Sequence, residues 1–195
     1  MITRVRNFFI LVLFSTYPLA SFAAQFVGGL SIEYGPSFQE NEQTARAWYA
    51  KWPQDFQAMI RKLEIFEAPG GREFAEVRLA KFHYTGKIRG DIDSAATGTI
   101  ASISSLAGIR SPTHNIVATR VSGLDARRVT YDSARFDGML GAEFLIIQDK
   151  SIDAMYQLQI IFSKKNSINS LPTPGLSKEH ALASGVLSSV QVIKR

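Results

Sequence analysis

The spacing of apolar positions changes several times along this chain, and each change marks an element. Residues 25–34 mix β-branched and aromatic side chains and stop at Gly35-Pro36, which predicts a strand. Over 39–52 the period becomes helical. Ala45, Trp48, Tyr49 and Trp52 share one face, while Glu40, Gln43, Arg46 and Lys51 lie on the other. Pro53 ends that helix, because it lacks an N–H, yet it can open a second one in which Phe56, Met59 and Ile60 keep the spacing. Residues 63–67 and 73–84 are strand-like and flank Pro69-Gly70-Gly71, which predicts a hairpin. Val77 and Leu79 are in one phase and Phe82 and Tyr84 in the other, so a bulge is expected near Ala80.

Residues 91–107 predict a second helix. Asp91 or Asp93 can cap it, Ile92, Ala96, Ile100, Ile103 and Ala107 form its buried stripe, and Gly108 ends it. Strands follow at 115–121 and 126–131, joined across Gly123-Leu124-Asp125, and at 142–147 and 154–162, joined across Asp149-Lys150-Ser151. In the last strand Ala154, Tyr156, Leu158, Ile160 and Phe162 alternate with Met155, Gln157 and Gln159, which predicts one buried and one wetter face. A Pro-rich connector spans 171–175. Ser177 then caps a final helix bearing Leu182, Val186 and Leu187, and 190–193 closes the chain as a short strand. The expected class is α+β: an antiparallel sheet flanked by helices.

The second half resembles a known fold family. Its marks are Val121-Ser122-Gly123-Leu124-Asp125-Ala126-Arg127-Arg128-Val129 after a helix, the pair Glu143-Phe144-Leu145-Ile146-Ile147 and Tyr156-Gln157-Leu158-Gln159-Ile160, and a helix running into Ser188-Ser189-Val190-Gln191-Val192. Together these resemble the PsbP-like α/β/α sandwich, a group that includes a photosystem accessory protein, a Ran-binding nuclear protein and periplasmic DcrB-type proteins. The resemblance covers roughly residues 90–193. It implies a sheet between helical layers and a role in binding other proteins, with no shared active site to carry over. The segment around Trp48 and Pro53 has no counterpart in it.

The first 23 residues change where such a domain works. Arg4 and Arg6 precede the apolar run Phe8-Phe9-Ile10-Leu11-Val12-Leu13-Phe14, and Ser21-Phe22-Ala23 places small residues before a cut. This is the layout of a secretory signal peptide, and the apolar run is too short to span a bilayer. The expected product is residues 24–195 as one domain, periplasmic or secreted, with no membrane anchor after cleavage near Ala23. There is no cysteine, so neither a lipid anchor on cysteine nor a disulfide is available. Arg4 and Arg6 leave with the leader, so 20 of the 22 basic residues face 17 acidic ones, a net charge of +3. That is too thin for a nucleic-acid groove.

Catalytic patterns are missing. There is no G-x-S-x-G and no phosphate-binding glycine motif around Gly28-Gly29 or Gly70-Gly71. His83, His114 and His180 lack partners at metal-ligand spacing and are read as exposed or singly hydrogen-bonded. His83 is placed on a strand, His114 in a loop. Asp132 and Asp137 flank Arg135 in what reads as a solvated loop. No catalytic, cofactor-binding or metal residue is therefore expected, and no cofactor.

Two features remain as a partner or ligand surface. Trp48, Tyr49, Trp52 and Phe56 suit core packing and, failing that, a groove. Arg127 and Arg128 must point to opposite sides of a strand, so one at most meets a given partner. The expected function is non-catalytic binding of another envelope or secreted protein, as accessory factor, assembly aid or toxin inhibitor. The alternatives are a carrier of a small apolar ligand or lipid, with the aromatic and small-sided helices as walls, and a hydrolase or metal-dependent enzyme that gathers a histidine with Asp91 or Asp93.

Overall fold

A computed structural model describes residues 24–27, 29–33, 39–51, 54, 57, 60–69, 76–85, 91–107, 112–135, 138–152, 154–165 and 176–193. The leader, Trp52, Pro53, Phe56, Gly70-Gly71 of the expected turn, Gly108, Asp137 and the 171–175 connector lie outside them.

Among the described residues the main sheet has seven antiparallel strands: β3 (Gln39–Glu40), β4 (Ile60–Pro69), β5 (Glu76–Thr85), β6 (Thr113–Val121), β7 (Leu124–Arg135), β8 (Gly138–Asp149) and β9 (Ala154–Lys165). Their order is β3-β4-β5-β9-β8-β7-β6. Strands β6 to β9 form a meander, and β5 returns to lie beside β9. The connection from β5 to the far edge strand β6 must therefore cross the sheet, and helix α2 (Ile92–Ala107) makes that crossing. Ile92, Ala96, Ile100 and Ile103 of α2 pack on Val129, Tyr131, Ala142, Phe144 and Ile146. Helix α3 (Ser177–Ser188) covers the opposite face, where Ala183, Val186 and Leu187 meet Ala126, Leu145, Ile147, Leu158 and Ile160. A smaller sheet, β1 (Ala24–Val27), β2 (Leu30–Glu33) and β10 (Gln191–Val192), joins that second core through Leu30, Ile32 and Val192. The expected antiparallel sheet between helical layers is what the chain forms.

Several local expectations need correction. Residues 25–34 are two strands, not one, because the chain turns at Gly29 with φ +89, a conformation glycine takes without penalty. The first helix is α1 (Glu42–Tyr49), capped by Asn41, whose side chain accepts from the Thr44 N–H at 2.9 Å. Gln39 and Glu40 belong to β3, and Ile60 opens β4 instead of continuing a helix. Strand β5 pairs without interruption through Ala80, and the irregularity falls between Ile60 and Lys62. An interior strand can be apolar in both phases without a bulge. The β6–β7 hairpin turns on Ser122 and Gly123 alone, at φ 50 and 83, so Val121 faces Leu124. Strand β9 has no wet face: Met155, Gln157 and Gln159 are buried, and Gln157 donates to Thr99 Oγ1 of α2 at 3.0 Å. The cap of α3 is Leu176, with no side-chain bond, and Ser177 is already helical. Leu182 is 47% exposed, because Glu179, Ala183, Val186 and Leu187 take the buried face.

Candidate functional site

Adjacent residues on a strand point to opposite faces. Arg127 and Arg128 obey this, and each reaches a different helix. On the α2 side, Asp91 caps the helix by accepting from the Ser94 N–H at 2.7 Å. Asp93 accepts from Arg127 Nε and Nη2 at 2.5 and 3.0 Å, a two-toothed pair that holds the Asp93 carboxyl below its ordinary range. Asp93 remains 60% exposed.

On the α3 side the arrangement is denser. Arg128 donates to Glu143 Oε2 at 2.7 Å and makes a very short contact to Ser184 Oγ. His180 lies one turn before Ser184, so both face the sheet. Its Nδ1 is 3.1 Å from Glu143 Oε1, and its Nε2 is 2.9 Å from Asp132 Oδ1. The Phe162 ring meets the imidazole edge-on, with centroids 4.9 Å apart. Phe162 packs so closely on Gly141 that a Cβ there would lie 2.3 Å from its ring.

Electrostatics favour the charged forms of His180 and Glu143. The hydrogen bond to Glu143 raises His180, burial opposes it, and Asp132 raises it further, with a net shift upward. Burial alone would push Glu143 up, but the bonds from His180 and Arg128 outweigh it and hold the carboxyl below its ordinary value. In the charged form that this geometry favours, both imidazole nitrogens donate to carboxylate oxygens, so Glu143 is bonded by His180 and Arg128 together and Asp132 by His180. As built, the cluster clamps α3 to β7 and β8.

That clamp was not foreseen. His180 is bonded twice, not once, and is largely buried. Asp132 lies in β7, which continues to Arg135, so this stretch is strand and not the solvated loop expected. His114 lies in β6 and is exposed, again not in a loop. The histidine–aspartate gathering needed by a hydrolase or metal enzyme does not form with His180, because His180 projects from α3 onto one face of the sheet while Asp91 and Asp93 start α2 on the other. Among the described residues, no group of three or more acidic or histidine side chains is placed to hold a metal ion.

The aromatic face is also relocated. None of the residues of α1 is buried: Trp48 is half-buried, and Tyr49 is exposed with its hydroxyl donating to the Gln57 carbonyl at 3.2 Å. Core packing was expected there. The eight-residue helix follows β3 directly and lies beside β4, and none of its residues belongs to either core cluster of the described residues. Trp52 and Phe56 lie outside the described residues.

The two edges of the sheet differ. On one side β3 pairs only Phe66 and Glu67 of the ten-residue β4, and α1 lies beside β4, whereas on the other β6 has nine residues in unbroken register with β7 from Thr113 to Val121. Among the described residues nothing pairs with its outer side. Exposed edges are usually blunted by charged side chains, proline or a bulge. Strand β6 has no proline, lysine or bulge and one charged side chain, Arg120, and it exposes both faces: Thr113, His114, Asn115, Val117, Ala118, Thr119 and Arg120 are all exposed, Val117 by 49%.

No helix among the described residues is long and apolar enough to cross a membrane. No family model matches the sequence, and no curated protein matches it. Among solved structures, the chain is similar to a protein of unknown function, PA94, from Pseudomonas aeruginosa, at 12% identity and a TM-score of 0.46, over 89% of this chain and 96% of that one. It is also similar to LpqN, involved in cell envelope biogenesis of Mycobacterium tuberculosis, at 8% identity and a TM-score of 0.49, over 85% of this chain and 83% of that one. Likeness at these identities and scores assigns no role to this chain. The layering that the PsbP-like resemblance implies is present, while membership of that family is not shown.

Proposed function

We propose that the chain works outside the cytoplasm as a non-catalytic protein that binds another envelope or secreted protein, taking an extended segment of that partner as an added strand on β6. The observation that supports this reading is the nine-residue outer edge, regular, exposed and carrying a single charge, Arg120. Main-chain hydrogen bonds would supply affinity there, and alternate side chains would supply selectivity. The leader pattern of residues 1–23 supports the location. A carrier of apolar ligands is less well supported, because the buried stripe of α2, one of its supposed walls, is filled by side chains of the sheet.

A photo-crosslinking side chain at Thr119, in living cells, tests the reading. A discrete adduct to one extracytoplasmic protein is expected. Val117→Pro and Ala118→Pro serve as paired controls. Neighbouring N–H groups on a strand alternate in direction, so one of these variants breaks the β7 ladder and the other removes only an outward donor. The variant that keeps the wild-type unfolding midpoint should lose the adduct. An adduct that persists in that variant, or one formed from Leu182 on α3 and not from Thr119, would move the surface elsewhere.

A further inference from the structure

Resting on that reading, we infer that the strand added to β6 comes from a different protein and brings an acidic side chain opposite Arg120, with β-branched neighbours over Val117. Pairing fixes the faces. Arg120 opposes Asp125, which shares the α2 side with Arg127, so Arg120, Ala118, Ile116 and His114 point that way. Val117 opposes Arg128, so Val117, Asn115 and Thr119 point to the α3 side. Strand β6 contains no acidic residue, and its fixed charge is Arg120, whose side chain is 76% exposed. Among the described residues the carboxylate paired with it is Asp125, 3.9 Å away and itself 53% exposed, which leaves guanidinium donors for the outer side.

A second copy does not meet this need. Two β6 strands paired antiparallel about a two-fold axis perpendicular to the sheet keep their faces, so the α2-side residues of one meet those of the other. Arg120 would then stand opposite His114, Ile116, Ala118 or the other Arg120, and never a carboxylate. A directly opposite residue on an added strand has its Cβ about 5 Å away, close enough for an aspartate or glutamate to reach the guanidinium. The segment that fits is therefore extended, β-branched at its centre, and acidic at one α2-side position.

Two capped heptapeptides test this against the purified protein. One reads glutamate, threonine, valine, valine, isoleucine, threonine, threonine. The other has lysine in place of glutamate. Antiparallel pairing sets the first residue opposite Arg120. Calorimetry and amide chemical shifts are the readouts. The acidic peptide should bind about five- to tenfold tighter, with shifts along 113–121, and high salt should shrink the difference. Arg120→Glu, at a site exposed enough to fold normally, should reverse the order. Equal binding with shifts in β6 overturns the acidic requirement and leaves the docking edge standing. Binding of neither peptide, with β6 amides unmoved, overturns both. Concentration-dependent dimerisation through β6 gives the edge to a second copy and overturns the inference alone.

Discussion

Arg127 and Arg128 are neighbours in sequence and reach opposite faces of the sheet, where the two helices are held by different means. Beneath α2 the contact is nearly dry: isoleucine and alanine on aromatic and branched side chains, with the Gln157–Thr99 bond inside and the Arg127–Asp93 pair outside. Beneath α3 the apolar contact occupies the later turns, and the first turns rest on Arg128, Glu143, His180 and Asp132. A dry contact loses stability in proportion to what is removed. A charged network does not, because deleting one member leaves the others desolvated and unpaired.

Removing the central carboxylate should therefore have the largest effect. Glu143, with its side chain 5% exposed, bonds both cations. Glu143→Leu should cost about 3–5 kcal/mol, measured by urea unfolding. A loss below about 1 kcal/mol would show the cluster to be a passenger on the apolar contact.

Gly141→Ala tests the same face without touching a charge. The new Cβ would meet the Phe162 ring at 2.3 Å and Leu176 Cδ1 at 2.7 Å. Overpacking of that kind costs about 1–3 kcal/mol. Phe162 braces His180, so the imidazole resonances should shift as well. A neutral effect would mean that the ring can withdraw and that the brace is dispensable.

The pH dependence separates the faces more gently. Glu143 is held below its ordinary 4.5, so its contribution is complete above that value and lost as pH falls through the depressed one. His180 is raised above its ordinary 6.5, so its contribution is complete below 6.5 and lost as pH rises through the raised value. The clamp should be strongest between these two ordinary values. His180→Gln should flatten the alkaline limb of stability against pH. An unchanged limb would place the titration elsewhere.

Much of this architecture was legible from periodicity. The α2 stripe, the cap at Asp91 and the strand rhythm of β6 to β9 are local properties, set by 3.6- and 2-residue spacing. The clamp was not legible, because its partners are 15, 37 and 48 residues apart in sequence and each looks ordinary alone. One signal was present: Glu143 interrupts an otherwise apolar run in β8, and a carboxylate is rarely buried unless paired. The aromatic face of α1 failed for a related reason. Spacing tells which side chains share a face, not what the face meets. Leu182 failed because His180 and Ser184 set the rotation of α3, and hydrophobicity alone misplaces the stripe.

The smallest effect belongs to the other arginine, and it is the sharper test of the contrast. Arg127→Ala removes a bidentate pair whose geometry is better than that of Arg128 with Glu143. If bond geometry governed stability, Arg127 would matter more. Its partner Asp93 is mostly in water, however, and exposed pairs gain little because solvent already satisfies both charges. The urea midpoint of Arg127→Ala should be indistinguishable from wild type, and combining it with Glu143→Leu should add nothing beyond the single Glu143 loss. A measurable cost for Arg127→Ala would show that the α2 face also depends on charge, and the distinction between the dry and the clamped face would collapse.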